Sequence, residues 1–312
     1  MCQTLLTPAP LRRGDTIAII SPATTVKSEY IAGAVEEITR RGYKAKVMPY
    51  ASGPAAGSYA SAEASREDDF CAAYADSEVR AILCSRGGYG TVHFIDKISE
   101  EMLRRDPKWL IGFSDISALH AMMHRAGVRS LHASMARHLT EYPNDAASNR
   151  LFGILEGESE YSIIGAADSR NIAGVAEGEL RGGNLAVLDG LGGTPFDLLM
   201  PRENEDVILF IEDIGEAIYR TERMVRRLAL CGALSCYKGI VVGRFTESRP
   251  DANYSSTADM LRERLPQWGA IGIPIAFDMP IGHIDGNMPV IEGARVRLTV
   301  TPDSSELDFI AD

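Results

Sequence analysis

Ser114, Glu212 and His283 each stand just past an apolar run: the serine after "WLIGF", the glutamate after "DVILFI", the histidine after "IPIAFDMPIG". A serine hydroxyl is a weak nucleophile at neutral pH until a histidine takes its proton. A carboxylate on the other imidazole nitrogen then fixes the tautomer and stabilises the imidazolium that forms. The order serine, acid, histidine along the chain is permitted, because geometry defines such a triad. Each residue also has a plain structural reading. Serine is a preferred helix cap, Glu212 and Asp213 suit the positive end of a helix starting there, and His283 lies in a loop between Gly282 and Asp285. Spacing alone leaves both readings open.

A fourth piece is "SRGGYG" (85–90), a glycine-rich turn after a strand-like run. Glycines there let backbone N–H groups approach a ligand closely. The turn lacks the Lys-Ser/Thr ending of a P-loop and the G-x-G-x-x-G spacing. It suits an oxyanion hole better, with one N–H from this turn and one from Asp115, the residue after the serine. "IGFSDI" is not a full G-x-S-x-G elbow, since Ile116 takes the last glycine position, which disfavours an ordinary α/β-hydrolase.

These residues need a scaffold, and the hydrophobic pattern supplies one. "DTIAIISPA", "KAKVMPY", "VRAILC" and "KWLIGF" read as strands, separated by the helical stretches "EYIAGAVEEITRRGY" and "SREDDFCAAYADSE"; "ISALHAMMHRAG" follows as another helix. Strands alternating with helices indicate βαβ units and a parallel sheet, whose functional groups collect at the carboxyl ends of the strands. From about residue 176 a second pattern begins, with strands at "DVILFIED", "GIVVGRF" and "IPIAFDMP", helices at "IGEAIYRTERMVRRLAL" and "TADMLRERLPQW", and a closing hairpin over "ARVRLTVTPDSSELDFI". The expected organisation is two α/β domains: 1–140 carrying the serine, a linker or crossover over 141–175, and 176–312 carrying the acid and base.

The bulk properties narrow the function classes. The 312 residues carry a net charge of −11 and no dense Lys/Arg run, which argues against nucleic-acid binding. The start lacks the basic-then-apolar order of a secretory leader and no apolar stretch reaches membrane-span length, so the expected location is the cytoplasm, away from the membrane. Five cysteines (Cys2, Cys71, Cys84, Cys231, Cys236) form no C-x-x-C pair, although Cys231 and Cys236 are near in sequence. The pairs His120/His124 and His132/His138 hint at metal, but "HAMMH" lacks the glutamate of a zinc-protease helix, and no metal centre is expected.

Five motifs in order, "SRGGYG", "IGFSDIS", "LRGGNLAVL", "FIEDIGEAIYRTERMVRRL" and "PIGHIDGNMPV", resemble the LD-carboxypeptidase family, cytosolic serine peptidases that include muropeptide LD-carboxypeptidases and microcin C immunity peptidases. The resemblance runs from "GDTIAIISPA" to "GARVRLTV". It implies a flavodoxin-like (Rossmann-like) N-terminal domain, a smaller C-terminal α/β domain, a homodimer, and a triad of Ser114, Glu212 and His283 with oxyanion donors on the backbone of Gly88 and Asp115. It implies acyl transfer: release of terminal D-alanine from a murein tetrapeptide through an acyl-enzyme on Ser114, without metal or organic cofactor. Within "EDIGE", Glu212 is preferred over Asp213 and Glu216 because it directly follows the strand. The substrate's terminal carboxylate calls for a local cation, for which Arg86 is the candidate with Arg181 behind it; Tyr89 and Asn184 are further expected substrate contacts. Members often carry His-Gly-Pro-Met where this chain has "HASM" (132–135), a change that bears on the pocket wall and substrate choice. Two other functions compete. One is an immunity-type peptidase cleaving peptidyl- or aminoacyl-nucleotides, which needs an aromatic platform; Trp109 and Trp268 are the only tryptophans. The other is a non-catalytic two-domain binding protein.

Overall fold

The computed structural model describes residues 5–202 and 204–310; Cys2 lies outside them. In chain order the elements are β1 (Thr16–Ile20), α1 (Ser28–Arg40), β2 (Lys44–Val47), α2 (Glu63–Ala75), β3 (Val79–Cys84), α3 (Glu100–Arg105), β4 (Trp109–Gly112), α4 (Ser117–Arg125), β5 (Ser130–His132), α5 (Ala136–Glu141) and α6 (Ala146–Leu155). There follow β6 (Tyr161–Gly165), β7 (Gly174–Asn184), α7 (Leu185–Asp189), β8 (Val207–Ile214), α8 (Ile218–Leu230), β9 (Gly239–Thr246), α9 (Thr257–Gln267), β10 (Ile275–Ala276), β11 (Val290–Glu292), β12 (Arg295–Val300) and β13 (Ser305–Phe309). Among the described residues the chain forms two compact units, 5–158 with 288–292, and 159–287 with 293–310.

The first unit is built on a six-stranded sheet of order β11-β5-β4-β3-β1-β2, parallel except for β11, which runs antiparallel to β5. β1, β3 and β4 are buried almost throughout, so they read as continuous apolar runs rather than alternating ones. The order 2-1-3-4-5 is the flavodoxin-like one, with its switch point between β1 and β3. That rule puts the ligand crevice at the carboxyl ends of these strands, where "SPATT" and "SRGGYG" emerge.

The second unit holds a seven-stranded sheet of order β10-β9-β8-β7-β12-β13-β6. β7 to β10 pair in parallel, and β7, β12, β13 and β6 pair antiparallel. The exposure of β12 alternates strictly along "RVRL", the mark of a strand with one solvated face. α8 buries Ile218, Thr221, Met224, Val225 and Leu228 as one helical stripe.

Three boundaries differ from the sequence expectation. The stretch expected as a linker, 141–175, holds α6, whose Leu151, Phe152, Ile154 and Leu155 are buried in the first unit; Phe152 stacks on Tyr43 at 6.0 Å. It also holds β6, which belongs to the second sheet. Residues 288–292 return to the first sheet as β11, which no local pattern announced. The strand expected over 273–280 shrinks to Ile275–Ala276, since Pro274 and Pro280 cannot donate to a ladder. No helix among the described residues is long and apolar enough to cross a membrane.

Candidate active site

Ser114 ends the β4 arm with a φ of +68°. This left-handed conformation is uncommon for a residue with a Cβ and costs about 1–3 kcal/mol, which the surroundings must offset. Residues 114–116 form a single 3₁₀ turn, and α4 begins behind Ile116, which makes no side-chain cap. Ser114 is therefore not the cap of α4; a cap would hold extended φ/ψ and accept a backbone N–H. A half-buried serine on a strained strand-to-helix turn has the geometry of a nucleophile elbow despite Ile116.

The glycine-rich turn lies against it. A Cβ on Gly87 would come 2.9 Å from Ser114 Cβ and 3.1 Å from its Oγ, so only glycine allows this approach. Gly88 follows at φ +114°, again open to glycine alone. The far end of the turn is tied to the turn at Ser114 through Thr91, which is fully buried. Its N–H donates to Asp115 Oδ2 at 3.0 Å, and its hydroxyl donates to the Asp115 carbonyl at 2.7 Å. Burial pushes the Asp115 carboxyl up, and the Thr91 hydrogen bonds work against that rise. Arg66, 2% exposed, donates through Nη1 to the carbonyls of Pro22 at 2.6 Å and Gly90 at 2.8 Å. Its Nη2 lies 3.2 Å from His93 Nδ1; a guanidinium only donates, which puts the His93 proton on Nε2. Thr91 and Arg66 were missed in the sequence. Thr91 directly follows the glycine motif, whereas Arg66 sits in a charged helix and gave no signal.

In the second unit Glu212 and His283 meet. His283 Nδ1 and Glu212 Oε2 are 2.7 Å apart, with the Glu212 side chain fully buried and that of His283 15% exposed. With Nδ1–H donating to the carboxylate, Nε2 is the basic nitrogen. Glu212 stands opposite a β-bulge in β9: the register of β8 and β9 changes between Ile211 and Asp213, so Gly243 and Arg244 fall against the one residue Glu212. Bulges of this kind re-aim side chains next to active sites. Gly282, at φ +124°, precedes the histidine, and a Cβ there would come 2.9 Å from both Glu212 Cβ and Oε2. Its N–H donates to Asn287 Oδ1 at 2.8 Å, which fixes the loop entering His283.

The neighbouring carboxylates have other work. Asp213 Oδ1 accepts from Asn184 Nδ2 and Ile214 N, and its Oδ2 from Ala186 N. Burial, with the Glu212 charge adding to it, pushes Asp213 up to about 6. Glu216 pairs with Arg220 at 3.6 Å. Of the three acids in "EDIGE", Glu212 is the one on the histidine.

Two of the expected substrate contacts, Arg181 and Asn184, have intramolecular partners. Arg181 is 5% exposed and bonds Glu179 at 2.6 Å and Glu205 at 2.7 Å, so its charge is matched by two carboxylates. Asn184 caps α7 by accepting from Val187 N, and its amide holds Asp213. Arg86, by contrast, is exposed on the glycine-rich turn, with Nη1 donating to the Thr25 carbonyl at 3.0 Å. Tyr89 is 55% exposed, its ring 5.3 Å from His93 and 6.4 Å from Tyr59. His120 is buried between the Gly112 carbonyl and the Ser130 hydroxyl, at 2.9 and 2.8 Å, a packing role rather than a metal one. Among the described residues no three His, Cys, Asp or Glu side chains gather as metal ligands.

Residues 17–133 match the model of the LD-carboxypeptidase N-terminal domain, and residues 177–298 match that of its C-terminal domain. A Synechocystis sp. protein that carries a carboxypeptidase name is 32% identical, over 98% of this chain and 97% of its own length. The murein tetrapeptide carboxypeptidase of Pseudomonas aeruginosa is 27% identical over 90% of this chain and 94% of its own. The crystal structure of muramoyltetrapeptide carboxypeptidase from Oxalobacter formigenes superposes with a TM-score of 0.82 at 27% identity, covering 95% of this chain and 99% of that one. The chain belongs to the LD-carboxypeptidase family and is a serine peptidase.

Proposed function

We propose that this peptidase is an LD-carboxypeptidase that removes the terminal D-alanine from cytoplasmic murein tetrapeptides during peptidoglycan recycling. The observation that carries the reading is the 2.7 Å bond between His283 and a wholly buried Glu212. A buried carboxylate on a histidine fixes a tautomer and stabilises an imidazolium, which a purely structural pair does not require. The full-length relatedness to murein tetrapeptide carboxypeptidases supports the substrate class.

In the proposed reaction Ser114 Oγ attacks the carbonyl of the L-configured centre of the third stem residue, and its proton passes to His283 Nε2. The N–H groups of Gly88 and Asp115 donate to the oxyanion. The C–N bond then breaks as His283 returns the proton to the amine of D-alanine. Water attacks the ester, giving a proton to His283, and Ser114 recovers its own as the tripeptide leaves. Arg86 is the proposed partner of the terminal carboxylate, because it is an exposed cation on the turn beside the serine. The protein is further proposed to be a homodimer, which gel filtration tests against the 33.9 kDa chain mass.

The test is mass spectrometry of L-Ala-γ-D-Glu-meso-diaminopimelate-D-Ala incubated with wild type and with Ser114→Ala. Tripeptide and free D-alanine from wild type alone support the reading. Turnover of a peptidyl-nucleotide with an inert tetrapeptide and an inert lysine stem overturns it in favour of an immunity-type peptidase.

A further inference from the structure

At the switch point of the first sheet, one contact is not explained by packing. Thr24, in the loop after β1, donates twice to the carbonyl of Gly87: from its hydroxyl at 2.5 Å and from its N–H at 3.3 Å. The loop is held on either side of it, by Ala60 N on the Ala23 carbonyl at 3.0 Å and by Thr25 N on the Ser58 carbonyl at 3.1 Å. The Gly87 carbonyl belongs to the same peptide plane as the N–H of Gly88. That plane is rigid and its carbonyl and N–H point in opposite directions, so whatever holds the carbonyl aims the N–H. The peptide also lies against the nucleophile, since a Cβ on Gly87 would come 3.1 Å from Ser114 Oγ. Glycine at 87 and 88 lets the peptide approach but leaves its orientation soft. An oxyanion donor is useful only when its direction is set before the charge develops.

We infer that Thr24 is a positioning residue for the reaction: by holding the Gly87 carbonyl it orients the Gly88 N–H as oxyanion donor. This rests on the proposed roles of Ser114 and Gly88. The threonine touches no reacting atom, and its hydroxyl supplies the shorter of the two bonds. Its loss leaves the weaker N–H bond and a glycine-glycine peptide able to rotate.

The test measures the rate at which an alkyl fluorophosphonate labels the full chain, with the labelled peptide mapped by mass spectrometry and Ser114→Ala as blank. The attacked phosphonyl oxygen gains charge as the acyl oxygen would, so the rate reports the donor without depending on the natural substrate. Thr24→Val and Thr24→Ala lack the hydroxyl, and Thr24→Ser keeps it. The first two are expected to label at least about tenfold more slowly than wild type, a fraction of the loss seen when a donor is removed outright. Thr24→Ser is expected to restore most of the rate, and tetrapeptide KM is expected to stay near wild type while kcat falls. If either hydroxyl-less variant labels as fast as wild type, or Thr24→Ser is as slow as they are, the assignment is overturned. Failure of wild type to label at Ser114 overturns the nucleophile reading itself, and this inference with it.

Discussion

Replacing Glu212 by glutamine changes one atom of a wholly buried group and leaves its volume intact. The carboxylate of Glu212 lies on His283 Nδ1 at 2.7 Å, with its other oxygen, Oε1, lacking a hydrogen-bond partner among the described residues. In the proposed reaction His283 takes the serine proton and becomes a cation beside that carboxylate. With charge centres about 4 Å apart and an effective dielectric constant of about 20, the attraction is about 4 kcal/mol. The neutral imidazole gains little of this, so nearly all of it lowers the barrier. At about 1.4 kcal/mol per factor of ten, Glu212→Gln should lower kcat by about a thousandfold. A glutamine that turns its NH₂ toward Nδ1 would favour the wrong tautomer and deepen the loss. Steady-state release of D-alanine measures it, with Glu216→Gln as control and thermal unfolding to confirm a folded protein. A loss below tenfold, or an equal loss from Glu216→Gln, would refute the role given to the pair.

Arg181→Met should destabilise the fold by about 3–5 kcal/mol by leaving Glu179 and Glu205 without their cation, with KM unchanged in the surviving enzyme; a raised KM at unchanged stability would return Arg181 to the substrate. Gly282→Ala should cost about 1–3 kcal/mol from its φ of +124° and its crowding of Glu212, and should lower kcat at least tenfold by displacing His283, as read from urea melts and turnover. His120 is pushed down to about 4 by burial, so between that value and the unfolded value of about 6.5 the unfolded chain binds the extra proton and stability falls as pH drops. Asp69 and Asp213, pushed up to about 6 mainly by burial, act with the opposite sign over much of the same range, so the test is a difference. Between pH 7 and 4.5 wild type should lose about 2–3 kcal/mol relative to His120→Asn in denaturant melts, and parallel pH profiles would contradict this.

The sequence carried the parts of the fold that local pattern encodes. Buried parallel strands such as β1 and β3 are continuous apolar runs, α8 is a clear amphipathic stripe, and β12 alternates, so each declared its type. Long-range pairings were not legible. The three residues of β11 join a strand more than 150 positions earlier, and the helix α6 looked like linker because its apolar face is short. At the site, Ser114, Glu212 and His283 were visible because each follows an apolar run, although Glu212 lies within β8 itself and His283 well beyond the two residues of β10. The left-handed φ of Ser114 was hidden, since Ile116 breaks the expected glycine pattern. Arg86 was the first candidate cation with Arg181 behind it, but the ion pairs of Arg181 with Glu179 and Glu205 had no signature in residue spacing. Thr24 and Arg66 bond backbone carbonyls, contacts that leave no mark on residue spacing.

The central claim, acyl transfer through Ser114, is tested most directly by acid-quenching the enzyme during tetrapeptide turnover and weighing the intact protein. The account predicts a transient species heavier by the tripeptidyl group, with the adduct mapped to the peptide containing Ser114 and absent from Ser114→Ala. D-Alanine release by Ser114→Ala at the wild-type rate, or an adduct on another residue, would contradict it.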